Sequence, residues 1–389
     1  ALERLGLRYD TRFVDGSGPV FAGKVFPFCF ITIACGAISG FHSLISSGTT
    51  PKLLERETDA RFIGYGAMLT ESLVATLALI AACVLTPGTY FAINAPPSAI
   101  GTTPEAAAVA IANWGFTLDP VAFKELTANV GETKLLSRTG GAPSLAVGMA
   151  HLFSNVLGGS TAMALWYHFA IMFEALFILT TLDAGTRVGR FMLQDLLRHV
   201  YEPLGRVAWY PAVVLSSAMF VAAWGYFLYQ GVVDPLGGIN SLWPLFGIAN
   251  QLLAVVALCV GTTVIIKMGK KAYAWITLLP LTWLCIVTMT AGSMKIFSDD
   301  PKLGFLSHAR MVQGLLADGK LPGNVKTAAD AARLITNDRV DAAVAAFFMI
   351  SVVIVITASA LEWIAVASGR KAARSTEIPF EPRAVAVGD

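Results

Sequence analysis

About seven stretches of this chain stay apolar long enough to cross a bilayer. Some 30 Å of hydrocarbon needs about 20 helical residues, and such runs lie near 24–48, 64–85, 161–182, 209–229, 241–266, 272–292 and 340–364. Another apolar piece, 143–157, is shorter and glycine-flanked, which suits a re-entrant or interfacial helix. Backbone N–H and C=O groups in lipid must be paired within the segment, so runs of this length are expected to be helices. The pattern predicts an all-α polytopic membrane protein with about seven transmembrane helices.

The first run is unlike the others. Gly36, Ser39, Gly40, His42, Ser43, Ser46, Ser47 and Gly48 crowd its inner half, which predicts a broken first helix. A break facing lipid would strand backbone polar groups, so non-helical backbone at membrane depth belongs where protein or a cavity surrounds it. Transporters use such breaks because half-helix ends and bare N–H and C=O groups hold charged solutes. Gly36, Ser39, Gly40, His42, Ser43 and Ser46 are therefore the candidate substrate-binding residues. Small residues also serve close helix packing, but packing does not call for a histidine, whose ordinary pKa near ~6.5 suits proton exchange.

Other ionisable residues stand inside the predicted spans: Glu71, His168 and Glu174, with Asp183 at an inner end. A carboxylate at the bilayer centre costs ~2.5–3.5 kcal/mol on insertion scales, so it is protonated, paired or wetted. These four are the candidate proton-coupling groups, although the i,i+4 spacing of Asp183 and Arg187 also fits a structural ion pair. Asn250 and Gln251 lie well inside the fifth span, where amides bridge helices or line a pathway.

Composition agrees with a membrane setting: 55% of residues are hydrophobic, 14% are charged, and mean hydropathy is +0.65. A formal net charge of +2 points to no nucleic-acid partner. The placement of basic residues is more telling. Lysine and arginine gather in 49–63, 183–208, 267–271 and the tail from 365, while the longer segments 86–160, 230–240 and 293–339 hold fewer. The positive-inside rule then puts the C-terminus in the cytoplasm. The expected division is an extracytoplasmic lead-in at 1–23, a broken helix and second span at 24–85, and an extracytoplasmic loop with short helices at 86–160. Four spans follow at 161–292, then an extracytoplasmic loop at 293–339, a last span at 340–364 and a cytoplasmic tail at 365–389.

Finer patterns add detail. Residues 187–200 alternate apolar and basic positions at helical period, as a helix lying on the cytoplasmic surface would. Helical patterns at 103–113 and 327–335 suggest small caps, or a substrate-recruiting lid, and Asp234-Pro235 with Gly237-Gly238 marks a tight turn. Cys29, Cys35, Cys83, Cys259 and Cys285 all sit in apolar stretches without zinc or redox spacing and are read as packed hydrophobes. No P-loop, His-Glu-x-x-His or Gly-x-Ser-x-Gly pattern occurs, so the residues support no enzyme and no resident metal or cofactor. A gradient-driven carrier is expected, coupled to protons or to sodium; a nutrient-binding sensor or structural subunit is the rival from another class. The chain opens Ala-Leu-Glu-Arg with no insertion signal before the first span, and a preceding membrane portion is expected.

The strings at 26–52, 62–73, 140–150, 166–197 and 224–253, with Pro301-Lys302-Leu303-Gly304-Phe305-Leu306 further on, resemble the carbon starvation protein A family of bacterial peptide and pyruvate transporters. The resemblance runs through nearly the whole chain. It implies a LeuT-like inverted-repeat core and proton-coupled uptake of pyruvate or small peptides during carbon limitation. It also implies a partner within the same polypeptide: an N-terminal half carrying a second glycine-rich broken helix, so that this chain holds half of the binding site. The family supplies no agreed functional positions, and the roles given to Glu71, His168, Glu174 and Asp183 rest on membrane energetics alone.

Overall fold

A computed structural model describes residues 13–20, 23–33, 36, 38–233, 238–322, 325 and 327–373. Cys35, the tight turn expected at 234–237, residues 1–12 of the lead-in and the tail beyond 373 lie outside them. The described residues form helices and connections with no strand. Six helices are long and apolar enough to cross a membrane. The run at 24–48 is not one of them. It forms α1 (Val25–Thr32) and α2 (Gly40–Gly48), followed by the short α3 (Thr50–Leu53), and Ile33, Ile38 and Ser39 stand outside helix. Among the described residues Gly36 is helical, and most of the glycine and serine cluster, from Gly40 to Gly48, lies within α2.

The chain divides into two compact units, Ala1–Val25 with Leu44–Gln230, and Phe26–Ser43 with Gly231–Asp389. In the first unit the long helices are α4 (Asp59–Val84), α10 (Met163–Leu197) and α11 (Tyr210–Val233). Between α4 and α10 stand α5 (Pro87–Asn94), α6 (Pro97–Ile100), α7 (Pro104–Asn113), α8 (Pro120–Asn129) and α9 (Gly141–Val156). Three of these start alike. Thr86, Thr103 and Asp119 cap α5, α7 and α8 by accepting from backbone N–H groups one turn on, and each is followed by proline at the first helical position. Their inward faces form a core with Ile93, Ile111, Phe123, Leu135, Val147 and Tyr167. The short helix α9 packs on both α4 and α10. Residues 187–197, expected as a surface helix, instead continue α10 without interruption.

The second unit holds α12 (Gly238–Lys267), α13 (Trp275–Phe297), α14 (Phe305–Ala317) and α15 (Ala328–Ala367). Its core includes Phe28 and Ile31 of α1, Ile248, Leu252 and Val255 of α12, Leu284 and Ala291 of α13, and Ala345 and Val352 of α15. The pattern at 327–335 is no separate cap: Thr327 caps α15 by accepting from Asp330 N at 3.1 Å, and the helix then runs 40 residues. At the opposite end of α15, Glu362 takes Lys267 at 3.1 Å and Lys371 at 2.8 Å, while Trp363 donates to Thr263 at 2.8 Å.

Candidate substrate site

The break is held open by one amide. Asn250, on α12 and 6% exposed, turns its carboxamide oxygen toward the gap between α1 and α2. That oxygen accepts the Phe41 N–H at 2.9 Å and the Ser39 hydroxyl at 3.3 Å. Ser39 Oγ in turn accepts from His42 N at 3.3 Å, in the manner of an N-cap. Two first-turn N–H groups of α2, orphaned by geometry, are thereby satisfied by side chains. Asn250 Nδ2 is buried with no hydrogen-bond partner among the described residues.

Gln251 secures the other half. Its Nε2 donates to the Phe30 carbonyl at 2.6 Å, near the free end of α1, and its Oε1 accepts from Thr288 of α13 at 3.1 Å. Both amides bridge helices, and both do so at the interruption. Close approach is built in as well. A Cβ on Gly40 would meet the Asn250 backbone oxygen, Leu253 Cβ at 2.5 Å and Ala254 N at 2.7 Å, so only glycine lets α2 start this close to α12.

The candidates do not share one environment. Ser39 and Gly40 touch Asn250, whereas Gly36 is exposed with open space around it. His42 is exposed, its ring edge-on to Phe41 at 6.0 Å, and Ser43 donates to the Ser39 carbonyl at 3.2 Å. Ser46 is exposed further along α2.

The four ionisable candidates belong to the first unit. Glu71 is exposed on α4. His168 lies beside Gly131, next to Glu132, Arg138 and Tyr167, where Arg138 pairs with Glu132 and donates to the Tyr167 hydroxyl at 3.4 Å. The neighbouring guanidinium holds the Glu132 carboxyl below the usual carboxylate range. Asp183 pairs with Arg187 at 2.9 Å in the open, which is the i,i+4 arrangement. Glu174 differs from these three: its Oε2 is buried with no hydrogen-bond partner among the described residues.

The family model described as Carbon starvation protein CstA matches residues 4–291. The chain belongs to the CstA family. It is similar to a protein of Escherichia coli (strain K12) named peptide transporter CstA, 52% identical over 377 residues, covering 96% of this chain and 54% of the relative. A Campylobacter jejuni protein of the same name is 58% identical over 287 residues, 74% of this chain and 41% of the relative. The E. coli protein named pyruvate/proton symporter BtsT is 47% identical over 395 residues, 96% of this chain and 55% of the relative. The chain spans about half the length of the curated relatives it matches. No solved structure matches it.

Lys295 is not among the sequence candidates. The apolar run expected to end at 292 continues as helix to Phe297, which brings Lys295 inside a candidate span. Its ammonium lies over the rings of Phe28 and Phe305. The signal was available, since 293–297 reads Ser-Met-Lys-Ile-Phe and ends before Ser298 with no breaker in between.

Proposed function

We propose that this chain is part of a secondary active transporter that carries pyruvate or a small peptide across the bacterial inner membrane together with a proton. The observation that carries the reading is Asn250. A buried amide from a neighbouring helix reaches the interruption in an apolar run, accepts the Ser39 hydroxyl and the Phe41 N–H there, and has a donor left over. That donor and the N-terminal end of α2 suit an anionic or carbonyl oxygen. The names of the relatives, peptide transporter and pyruvate/proton symporter, agree with a small carboxylate cargo.

In this reading the core is LeuT-like, and the half that completes it comes from the rest of the polypeptide. The substrate is held by Gly36, Ser39, Gly40, His42, Ser43 and Ser46, with Asn250 and Gln251 as pathway amides. Glu71, His168, Glu174 and Asp183 are the proton-coupling candidates. Glu174 leads them, because a buried carboxyl oxygen without a partner is better satisfied by a proton than left charged. Asp183 is the weakest, being already matched to Arg187.

The test is uptake of labelled pyruvate by the full-length protein in proteoliposomes. Accumulation is expected to follow an inward proton gradient and to collapse with an uncoupler. Indifference to the proton gradient would overturn proton symport. Dependence on external sodium would identify a sodium carrier instead, and binding without accumulation a sensor. Asn250→Ala removes the acceptor of the Phe41 N–H, at about 1–3 kcal/mol. It should lower uptake about tenfold or more, on the order of 1.4 kcal/mol per decade.

A further inference from the structure

Thr288 and Lys295 stand seven residues apart on α13, two turns along one face. That face looks onto α1. Thr288 reaches it through Gln251, which holds the Phe30 carbonyl, and Lys295 reaches it directly, its Nζ 5.5 Å from the ring centroid of Phe28. The second ring over the ammonium, at 5.9 Å, is Phe305, the first residue of α14. Among the described residues the contacts of this ammonium are the two rings, and no ion pair of it is seen.

Several other charges on the elements around α13 are paired. Lys267 of α12 is paired with Glu362 of α15, His308 of α14 with Asp338 of α15, and Arg310 of α14 reaches Asp299 and the Leu306 carbonyl. Two aromatic faces offset part of the desolvation of an ammonium but do not neutralise it. A cation inside a span without a counter-charge marks a solute pathway more often than a structural site. A lysine near a helix end also reaches water by snorkelling, yet this head group is turned onto the first half of the broken helix.

We propose that Lys295 binds the carboxylate of the transported solute, the substrate being the counter-ion that the protein leaves out. The inference rests on the transport reading above. It also accounts for one ammonium serving two kinds of cargo, since a 2-oxo acid and a peptide both end in a carboxylate.

The experiment uses the full-length protein in proteoliposomes, with Lys295→Met and Lys295→Arg, and compares inhibition of labelled pyruvate uptake by pyruvate and by its uncharged amide. Wild type should prefer pyruvate. Lys295→Met should raise KM for pyruvate about 10- to 100-fold, the weight of a charge-assisted hydrogen bond, with the maximal rate per folded protein much less changed. The preference of pyruvate over the amide should vanish. Lys295→Arg, which keeps the charge, should recover most of the affinity. An unchanged KM and preference in Lys295→Met, or equal loss in the arginine variant, overturns the assignment while leaving transport intact. If Lys295→Met fails to fold, the arginine variant decides: it must keep the preference for pyruvate. Wild-type protein that takes up no carboxylate at all would instead sink the transport reading.

Discussion

A single methyl group separates two glycines that look equivalent in the sequence. Gly36 and Gly40 are four positions apart in the same small-residue stretch, but Gly36 faces open space and Gly40 abuts the Asn250 backbone. Gly40→Ala must push α2 off α12, weakening the Phe41 N–H bond to Asn250, at a cost of about 1–3 kcal/mol typical of overpacking. The expected outcome is a lower melting temperature in detergent and reduced uptake for Gly40→Ala, with Gly36→Ala close to wild type. Equal behaviour of the two variants would remove the close contact from the account of the site. The sequence locates this stretch but does not rank its members, because what opposes each residue comes from far away: Ser39 and Asn250 are 211 positions apart. Lys295 was lost for the reverse reason. It sits at the end of an apolar run, where a lysine reads as the start of a loop.

At the scale of elements, the spans were legible because lipid demands length and apolarity, and both are written locally. The ends were less so. Asp330, Arg333, Asp338 and Arg339 make 327–339 read as a loop with a short helix, yet these residues are the opening turns of α15. They are solvated on one side and packed against α14 on the other, through Val312, Ala331 and Leu334. A polar tie in this contact is His308 Nδ1 to Asp338 Oδ2 at 2.7 Å. That hydrogen bond holds the imidazole above its ordinary value, against burial, which pulls it down. A raised value in the folded state means the stabilisation is complete below the unfolded value near ~6.5 and fades as pH climbs through the higher folded one. His308→Gln should therefore lower stability most at pH 5.5–6.5, by on the order of 1 kcal/mol, and least in alkaline buffer, as read from melting temperatures. A difference between wild type and His308→Gln that grows with pH would contradict this pairing.

For the molecule as a whole, burial and charge say how it meets the membrane. Only 6% of the apolar window of α4 is buried, against 44% in Leu245–Lys267 of α12. Phe62 and Leu69 of α4 are 83% and 65% exposed, a face that requires lipid or other protein to cover it. The second unit adds direction. Because Lys267 and Lys371 both grip Glu362, the connection at 267–271 and the stretch after α15 share one end, and that end gathers Lys267, Lys270, Lys271, Arg370 and Lys371. Asp299, Asp300 and Asp318 belong to the connections around α14, between α13 and α15. Short basic connections resist translocation, so the lysine-rich end should be cytoplasmic and α14 should lie on the other side. A fluorescent protein fused after Lys371 is expected to light up, because it folds in the cytoplasm, while alkaline phosphatase at the same point stays inactive. Phosphatase placed after Gly319, beyond α14, should be active. The reverse pattern would invert the unit in the membrane, and with it the side from which a carboxylate first meets Lys295.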